Sequence, residues 1–226
     1  MDNIMEKNKN LRYERKYYIS KASALLLKQR LSYVLRPDAY GANGQYHIST
    51  LYFDDQYSTS FHEKQNGALY RDKFRIRFYN FNPDAPRLER KNKSRDLVNK
   101  ESVFITPEQY EGMRLGDFGF ISRETAPVFK KFYAAQIIRR MRPVIMVKYY
   151  RQAYIHPAGN TRVTFDSDLS ASLPMADNSF SISPGDNIIM EIKYNSFIPS
   201  VVTGLLTGVP LTQLSVSKFV LAKEYL

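Results

Sequence analysis

The 226-residue chain has no cysteine, no tryptophan and only three histidines. Without cysteine there can be no disulfide framework and no thiolate-held zinc or iron–sulfur centre. The lack also suits a reducing compartment. His47, His62 and His156 stand alone, with no paired-histidine zinc spacing among them. Long hydrophobic runs are missing too. The longest apolar stretch near the end, "FIPSVVTGLLTGVPL", is interrupted by Pro and Gly and is too short to span a bilayer. The first ten residues, "MDNIMEKNKN", are polar, offer no secretory h-region and are expected to be flexible. A soluble cytoplasmic protein without a membrane span is the expectation. No P-loop or serine nucleophile elbow is present, and the Asp-Phe-Gly in "GDFGF" has no kinase loops around it.

Acid is the scarcer charge. Asp and Glu number 22 against 33 Lys and Arg, a formal net charge of +11. Such a surplus points to an anionic partner such as nucleic acid, acidic lipid or phosphate compounds. Apolar residues make up 43% and charged residues 24%, which is a globular balance.

The pattern predicts strands over 11–19, 46–54, 69–79, 86–93, 97–105, 142–155, 161–168 and 187–194. A helix is expected after Ser20 as N-cap, with Leu25, Leu26, Leu27, Leu31 and Leu35 on its apolar face. A short helix capped near Asp54 or Asp55 should end at Gly67. Another begins at Thr106 with Pro107 in its first turn, a longer one covers 124–139, and the tail ends helical. No repeat, linker or domain boundary breaks the chain, so one domain over 1–226 is expected. Its fold class is α+β: a closed or nearly closed tunnel of about eight mostly antiparallel strands, with helices packed outside.

The unusual feature is where the charge sits. In "YRDKFRIRFYN", Arg71, Lys73, Arg75 and Arg77 alternate with Asp72, Phe74, Ile76 and Phe78. On a strand they share one face. The same alternation places Arg12, Glu14 and Lys16 together, then Glu89, Lys91 and Lys93, then Arg162, Thr164 and Asp166, then Glu191 and Lys193. A solvated face accounts for any one of these strands. For five together it is a poorer account, because the cations repel unless an anion lies among them. If the face turns inward, the interior must be wet and hold a polyanion, since unpaired cations in a dry core are very costly. Two or three carboxylates beside phosphates would suit Mg²⁺ or Mn²⁺. Equally, Glu14, Glu89 and Glu191 could serve only as ion-pair partners for neighbouring lysines. An outward basic face binding nucleic acid is a further alternative; Phe74, Phe78 and Tyr79 interleave with the cations but are better core residues, and no specific nucleic-acid partner is expected.

The motifs "ERKY", "LYFDD", "KFRIRFY", "LERK", "KYYRQAY", "RVTFD", "MEIKY" and "SKF" occur in that order. From about Leu11 to the C-terminus the chain resembles the VTC domain, the polyphosphate polymerase module of the triphosphate tunnel metalloenzyme (CYTH-like) superfamily. The resemblance implies a tunnel of antiparallel strands with inward basic and acidic side chains. It implies transfer of the γ-phosphate of ATP to a growing inorganic polyphosphate chain, with Mn²⁺ or Mg²⁺ as cofactor. Hydrolysis of triphosphate or polyphosphate, or phosphate binding without catalysis, are the alternatives. By the same resemblance Lys16, Arg75, Arg77, Lys91, Arg151 and Lys218 grip phosphates, and Arg162, Lys193, Lys93 and Lys148 assist. Glu191 is the main metal ligand, with Glu14 and Glu89 as helpers. Lys148 and Arg151 are three apart, which puts them on opposite faces of a regular strand unless a bulge intervenes. Related tunnel enzymes often begin with Glu-x-Glu-x-Lys. Here Arg12 stands at the first Glu position, leaving Glu14 and Lys16.

Overall fold

The computed structural model describes residues 12–95, 97–176, 178–183 and 185–226. The expected flexibility of the first ten residues, and the strand start at Leu11, lie outside them. Among the described residues eleven strands form one sheet. They are β1 (Tyr13–Ser20), β2 (Arg36–Pro37), β3 (Gln45–Asp54), β4 (Tyr70–Tyr79), β5 (Asn82–Ser94), β6 (Leu97–Phe104), β7 (Arg142–His156), β8 (Thr161–Ser172), β9 (Phe180–Ser181), β10 (Asn187–Tyr194) and β11 (Thr212–Gln213). The helices are α1 (Lys21–Ser32), α2 (Thr59–Gln65), α3 (Pro107–Leu115), α4 (Pro127–Arg139), α5 (Ser200–Leu206) and α6 (Lys218–Lys223).

Strand order is β11-β1-β10-β8-β7-β3-β4-β5-β6, with β2 on β7 and β9 on β8, and every pairing is antiparallel. Two expectations are corrected here. The hydrogen-bonded path ends at β11 and β6 without joining, so the sheet is an open, curled trough and not a closed tunnel. It also has eleven strands where about eight were expected. The eight expected strands are all present. The extra three, β2, β9 and β11, are two residues long, too short to carry an alternation signal. Helix α5 was not anticipated either.

Local chemistry explains the element ends. The Ser20 hydroxyl accepts from the Ser23 N–H at 3.0 Å and caps α1. Thr106 and Gln109 form a reciprocal capping box on α3. Asp54 and Asp55 cap α2 from outside its first turn: their carboxylates accept from the N–H groups of Thr59, Ser60 and Phe61. The β4–β5 hairpin turns on Asn80 and Phe81, both with left-handed φ (52° and 58°). That geometry matches the right-handed twist of the flanking strands. Strand β5 therefore starts at Asn82, earlier than the two nearby prolines suggest.

The convex face is dry. Helix α1 sets Leu27 and Leu31 against Val163, Phe165, Met190 and Ile192 of β8 and β10. Helices α3 and α4 cover β3, β4 and β5, where Phe132 lies edge-on to Phe53 and Phe74 at 5.1 and 5.3 Å between ring centres. Each such ring contributes about 1.5–3 kcal/mol by leaving water. The concave face is mixed. Tyr52, Ile145, Val147, Tyr149 and Ile189 form an apolar floor, and α6 lies on it through Phe219 and Ala222. If the charged face turned inward, a wet interior holding a polyanion was expected. This α6-covered part is packed instead.

Candidate functional site

The register puts all five charged strand faces on the concave side. Lys16 opposes Glu191, and Glu14 opposes Lys193, across β1 and β10. On β8, Arg162 opposes Lys193, and Asp166 opposes Arg151 of β7. Tyr46 of β3 pairs with Arg151, and Tyr52 with Arg75 of β4. On β5, Glu89 opposes Arg75, Lys91 opposes Lys73, and Lys93 opposes Arg71. The period of two, carried strand to strand by antiparallel pairing, thus assembles one surface from residues more than 170 positions apart.

One wall, built from β1, β10, β8 and β7, pairs its charges. Lys16 Nζ lies 3.6 Å from Glu191 Oε1. Lys193 Nζ lies 3.7 Å from both Glu14 and Glu191, so the two carboxylates are neighbours bridged by one ammonium. Arg151 makes a two-point bond to Asp166 at 2.6 and 2.8 Å, and its Nη2 reaches Glu191 at 3.9 Å. Lys218, the first residue of α6, reaches Asp166 at 2.6 Å and lies over the Tyr149 ring. Arg162 donates to Asp38 and to the Tyr46 hydroxyl.

The facing wall is β4 and β5. Arg75 and Lys100 share Glu89 at 2.7 and 2.6 Å. Among the described residues Arg77 has no carboxylate within 4 Å, and it donates to Thr50 and Tyr149. Lys91 reaches across the trough to Glu14 at 3.0 Å, although five strands separate β5 from β1 in the sheet order. That contact is made by the sheet's coiling.

Charge pairing overrides burial in the titration of the acids. Burial alone raises the Glu191 carboxyl, but Lys193, Lys16 and Arg151 hold it well below the usual range. Burial likewise opposes, and Arg75, Arg77 and Lys100 reverse, the shift at Glu89, which ends well below normal. Asp166 is brought down to about 2 against its own burial by Arg151 and Lys218. Among the cations, burial dominates at Lys73 and Lys91. With neighbouring cations it pulls Lys73 down to about 7 and Lys91 to about 8.

The trough brings together Lys16, Arg75, Arg77, Lys91, Arg151, Lys218, Arg162, Lys193, Lys93, Glu191, Glu14 and Glu89 on one face. Lys148 is the exception. Strand β7 alternates regularly from Val147 to Arg151, so Lys148 points outward, where its charge adds to the burial that lowers the His47 pKa. The bulge that could have turned it inward lies on β8, around Asp168, whose φ is +52°. The expected acids also divide. Glu14 and Glu191 are adjacent, whereas Glu89 is held on the other wall by Arg75 and Lys100. Among the described residues no group of three or more His, Cys, Asp or Glu could hold a metal by itself. Two neighbouring carboxylates still fit a Mg²⁺- or Mn²⁺-type ion, which binds through one or two carboxylates and completes its shell with water and phosphate oxygens. Lys16 and Lys193 would have to swing off them. Asp166 was absent from the expected site, though its alternation with Arg162 and Thr164 placed it on the right face. Its role as the counter-ion of both Arg151 and Lys218 depends on where α6 docks.

An open trough of antiparallel strands, lined by basic and acidic side chains facing inward, is the triphosphate-tunnel fold. Three solved structures share it at low identity. A "putative adenylyl cyclase" of Hippeastrum aligns with 16% identity and TM-score 0.61, covering 95% of this chain and 96% of that one; its description reports a dominant triphosphatase activity. A "putative adenylate cyclase" of Bacillus halodurans aligns with 12% identity and TM-score 0.54, covering 84% and 83%. A protein of Pyrococcus horikoshii aligns with 14% identity and TM-score 0.52, covering 95% and 99%. No curated protein sequence matches the chain. The VTC domain model matches residues 11–226, and the chain belongs to that family.

Proposed function

We propose that the trough carries out metal-dependent phosphoryl transfer on a triphosphate, passing the γ-phosphate of ATP to the end of an inorganic polyphosphate chain. The observation that carries this reading is the pairing of cation-rich walls with two adjacent carboxylates, Glu14 and Glu191, in one concave groove. Phosphoryl transfer asks little covalent chemistry of a protein; positioning and charge neutralisation dominate.

In this reading Arg75 and Arg77 hold phosphate oxygens with their planar forks, and Lys16 and Lys91 add compact charge. Arg151 stays fixed on Asp166 and presents its remaining edge toward Glu191. The hydroxyl of Tyr149, already accepting from Arg77, keeps that guanidinium aimed at the groove. Glu191 and Glu14 hold the Mg²⁺ or Mn²⁺, which supplies Lewis-acid neutralisation of the charge developing on the phosphates when bound. Lys193, released from the two carboxylates, becomes a further phosphate donor. Glu89 has a supporting role, keeping Arg75 extended from the β5 side. Lys93 belongs to the acceptor side of the groove. No place in the site is assigned to Lys148.

Hydrolysis is the second reading, with water in place of the polyphosphate end as nucleophile. The triphosphatase activity reported for the Hippeastrum relative favours it, whereas membership of the VTC family favours polymerisation. No helix among the described residues is long and apolar enough to cross a membrane, so the proposal includes no transport by these residues. Incubation with ATP and Mn²⁺, assayed for both long-chain polyphosphate and free phosphate, tests the reading. Polymer that disappears in Arg75→Ala and Glu191→Ala supports it. Free phosphate alone selects the hydrolase. Absence of either product with every divalent metal sinks both.

A further inference from the structure

Helix α4 is apolar on two faces and covered on one. Its inner face sets Val128, Phe129 and Phe132 into the core over β3, β4 and β5. Its outer face carries Tyr133, Ala134, Ile137 and Ile138, spaced by three and four so that they form one stripe. All four are exposed, Ile137 by 65% and Ile138 by 79%. A helix that is apolar all round is ordinarily buried all round. Tyr57, from the loop before α2 and 75% exposed, lines the same hollow as Ile138 and carries the apolar surface onto a second element. Large apolar side chains gathered in one exposed patch with a polar rim mark a surface that meets a partner.

The exposed charge around the stripe is of one sign. Lys130 stands at its N-terminal end, Arg140 and Arg142 follow its C-terminal end, and Arg123 precedes the helix. All four are exposed and have no carboxylate within 4 Å among the described residues. The helix has no acidic residue of its own. Its partly buried cations are the paired ones: Lys131 lies 2.5 Å from Glu101, and Arg139 lies 3.0 Å from Asp55. The acids bordering the hollow are turned inward. Asp55 is buried in the cap of α2, and Glu63 keeps one carboxylate oxygen buried. The helix ends on Arg140 with φ +50°, a left-handed position that glycine ordinarily takes. Charge narrows the choice of occupant. A second copy docked stripe to stripe would set these cations against their own equivalents. A flat anionic surface meets all of them at once, over the roughly 15 Å of helix from Lys130 to Arg140. Long basic side chains can then reach phosphates while the apolar stripe sinks beside them.

We propose that the outer face of α4 docks on an anionic lipid surface. Ile137 and Ile138 enter among the acyl-chain ends, Tyr133 sits at the level of the headgroups, and Lys130, Arg140 and Arg142 contact the lipid phosphates. The contact is peripheral and uses one face of one helix; no described helix is long and apolar enough to cross a membrane. Because α4 covers the convex side, the docked protein keeps its concave groove open to solution. The inference does not depend on the reaction assigned to that groove.

Flotation of the full chain with vesicles of phosphatidylcholine, with and without phosphatidylserine, tests this. The protein is expected to float with the phosphatidylserine vesicles and to stay behind with phosphatidylcholine alone. The double variant Ile137→Ser, Ile138→Ser should weaken that partition about tenfold or more. Both side chains are exposed, so folding is not at stake, and every cation of the concave groove is retained. Unchanged partition in this variant would therefore assign the lipid contact to the groove and overturn the proposal. Arg140→Gln with Arg142→Gln should also weaken it about tenfold or more. The chain has no tryptophan, so Tyr133→Trp supplies a single reporter, whose emission should shift to the blue on phosphatidylserine vesicles. No shift, or no flotation with either vesicle, sinks the lipid surface. Sedimentation of the free chain as a dimer that the isoleucine variant dissociates would replace it with a second copy. A blue shift produced by a synthetic Glu- and Leu-rich helical peptide, and not by vesicles, would replace it with an acidic protein partner.

Discussion

The two walls of the trough answer the same electrostatic problem in opposite ways. On the β1–β10–β8–β7 wall, Lys16, Lys193, Arg151, Lys218 and Arg162 each sit within 4 Å of a carboxylate. On the β4–β5 wall, Glu89 serves Arg75 and Lys100, while Arg71, Lys73, Arg77 and Lys93 have no acid so close among the described residues. A paired wall is organised before any ligand comes. A wall of unpaired cations is under mutual repulsion that an anion would relieve. Under the proposed function, preorganised charge on one side and uncompensated charge on the other would let the groove bind a polyanion and still let it move.

The comparison can be broken most sharply at Asp166. Asp166→Asn leaves Lys218 without its carboxylate and Arg151 with only Glu191 at 3.9 Å, and a loss of about 3–5 kcal/mol in stability is expected by chemical denaturation. If the variant unfolds at the wild-type midpoint, the paired wall does not depend on that acid. Next comes catalysis. Glu191→Gln keeps the shape but removes one of two adjacent carboxylate charges, and a fall of about 100-fold or more in kcat with Mn²⁺ is expected in steady-state assays. Arg75→Lys, which keeps charge but loses the fork, should fall less than Arg75→Ala.

The unpaired wall makes a prediction about pH. The Lys73 ammonium is lowered to about 7 in the folded protein, while in the unfolded chain it titrates near 10.5. Between those values the unfolded state binds more protons, so this residue's contribution to stability rises with pH from about 7 to about 10.5. Below pH 7 it carries its full penalty. Lys73→Met should therefore raise the melting temperature by a few degrees at pH 6, and by less at pH 9. Equal gains at both pH values would contradict the assignment. The smallest effect is expected where the walls touch. Lys91 and Glu14 remain partly open to water, and a double-mutant cycle on that pair should give a coupling of about 1 kcal/mol or less.

Much of the wall chemistry could be seen in one dimension. The alternation in "YRDKFRIRFYN" put Arg71, Lys73, Arg75 and Arg77 on one face, and antiparallel pairing carried that face intact to β5 and β3. The caps at Ser20 and Thr106 were equally plain, because each is a contact over three residues. Lys148 shows the limit of motif matching. Its spacing from Arg151 conflicted with the strand period, and the period prevailed. The two-residue strands and α5 left too short a pattern to see. The tail's helical character was readable, but its position on the concave floor was not: Phe219 contacts Tyr52 and Lys218 contacts Asp166, each over more than fifty residues of intervening chain.

What the sequence alone determined is therefore local and periodic: which side of each long strand is charged, where the longer helices begin, and the surplus of base over acid. The period of a strand is a property of the backbone and needs no partner. Only the tertiary structure decided which cations have acids. Counter-ions come from strands and helices brought together by the twist of the sheet and the docking of α6, so neither charge count nor spacing can assign them. The same coiling left the sheet open at β6 and β11 while carrying Lys91 to Glu14. The trough thus has one wall neutralised from within and another on which, among the described residues, Arg71, Lys73, Arg77 and Lys93 have no carboxylate within 4 Å.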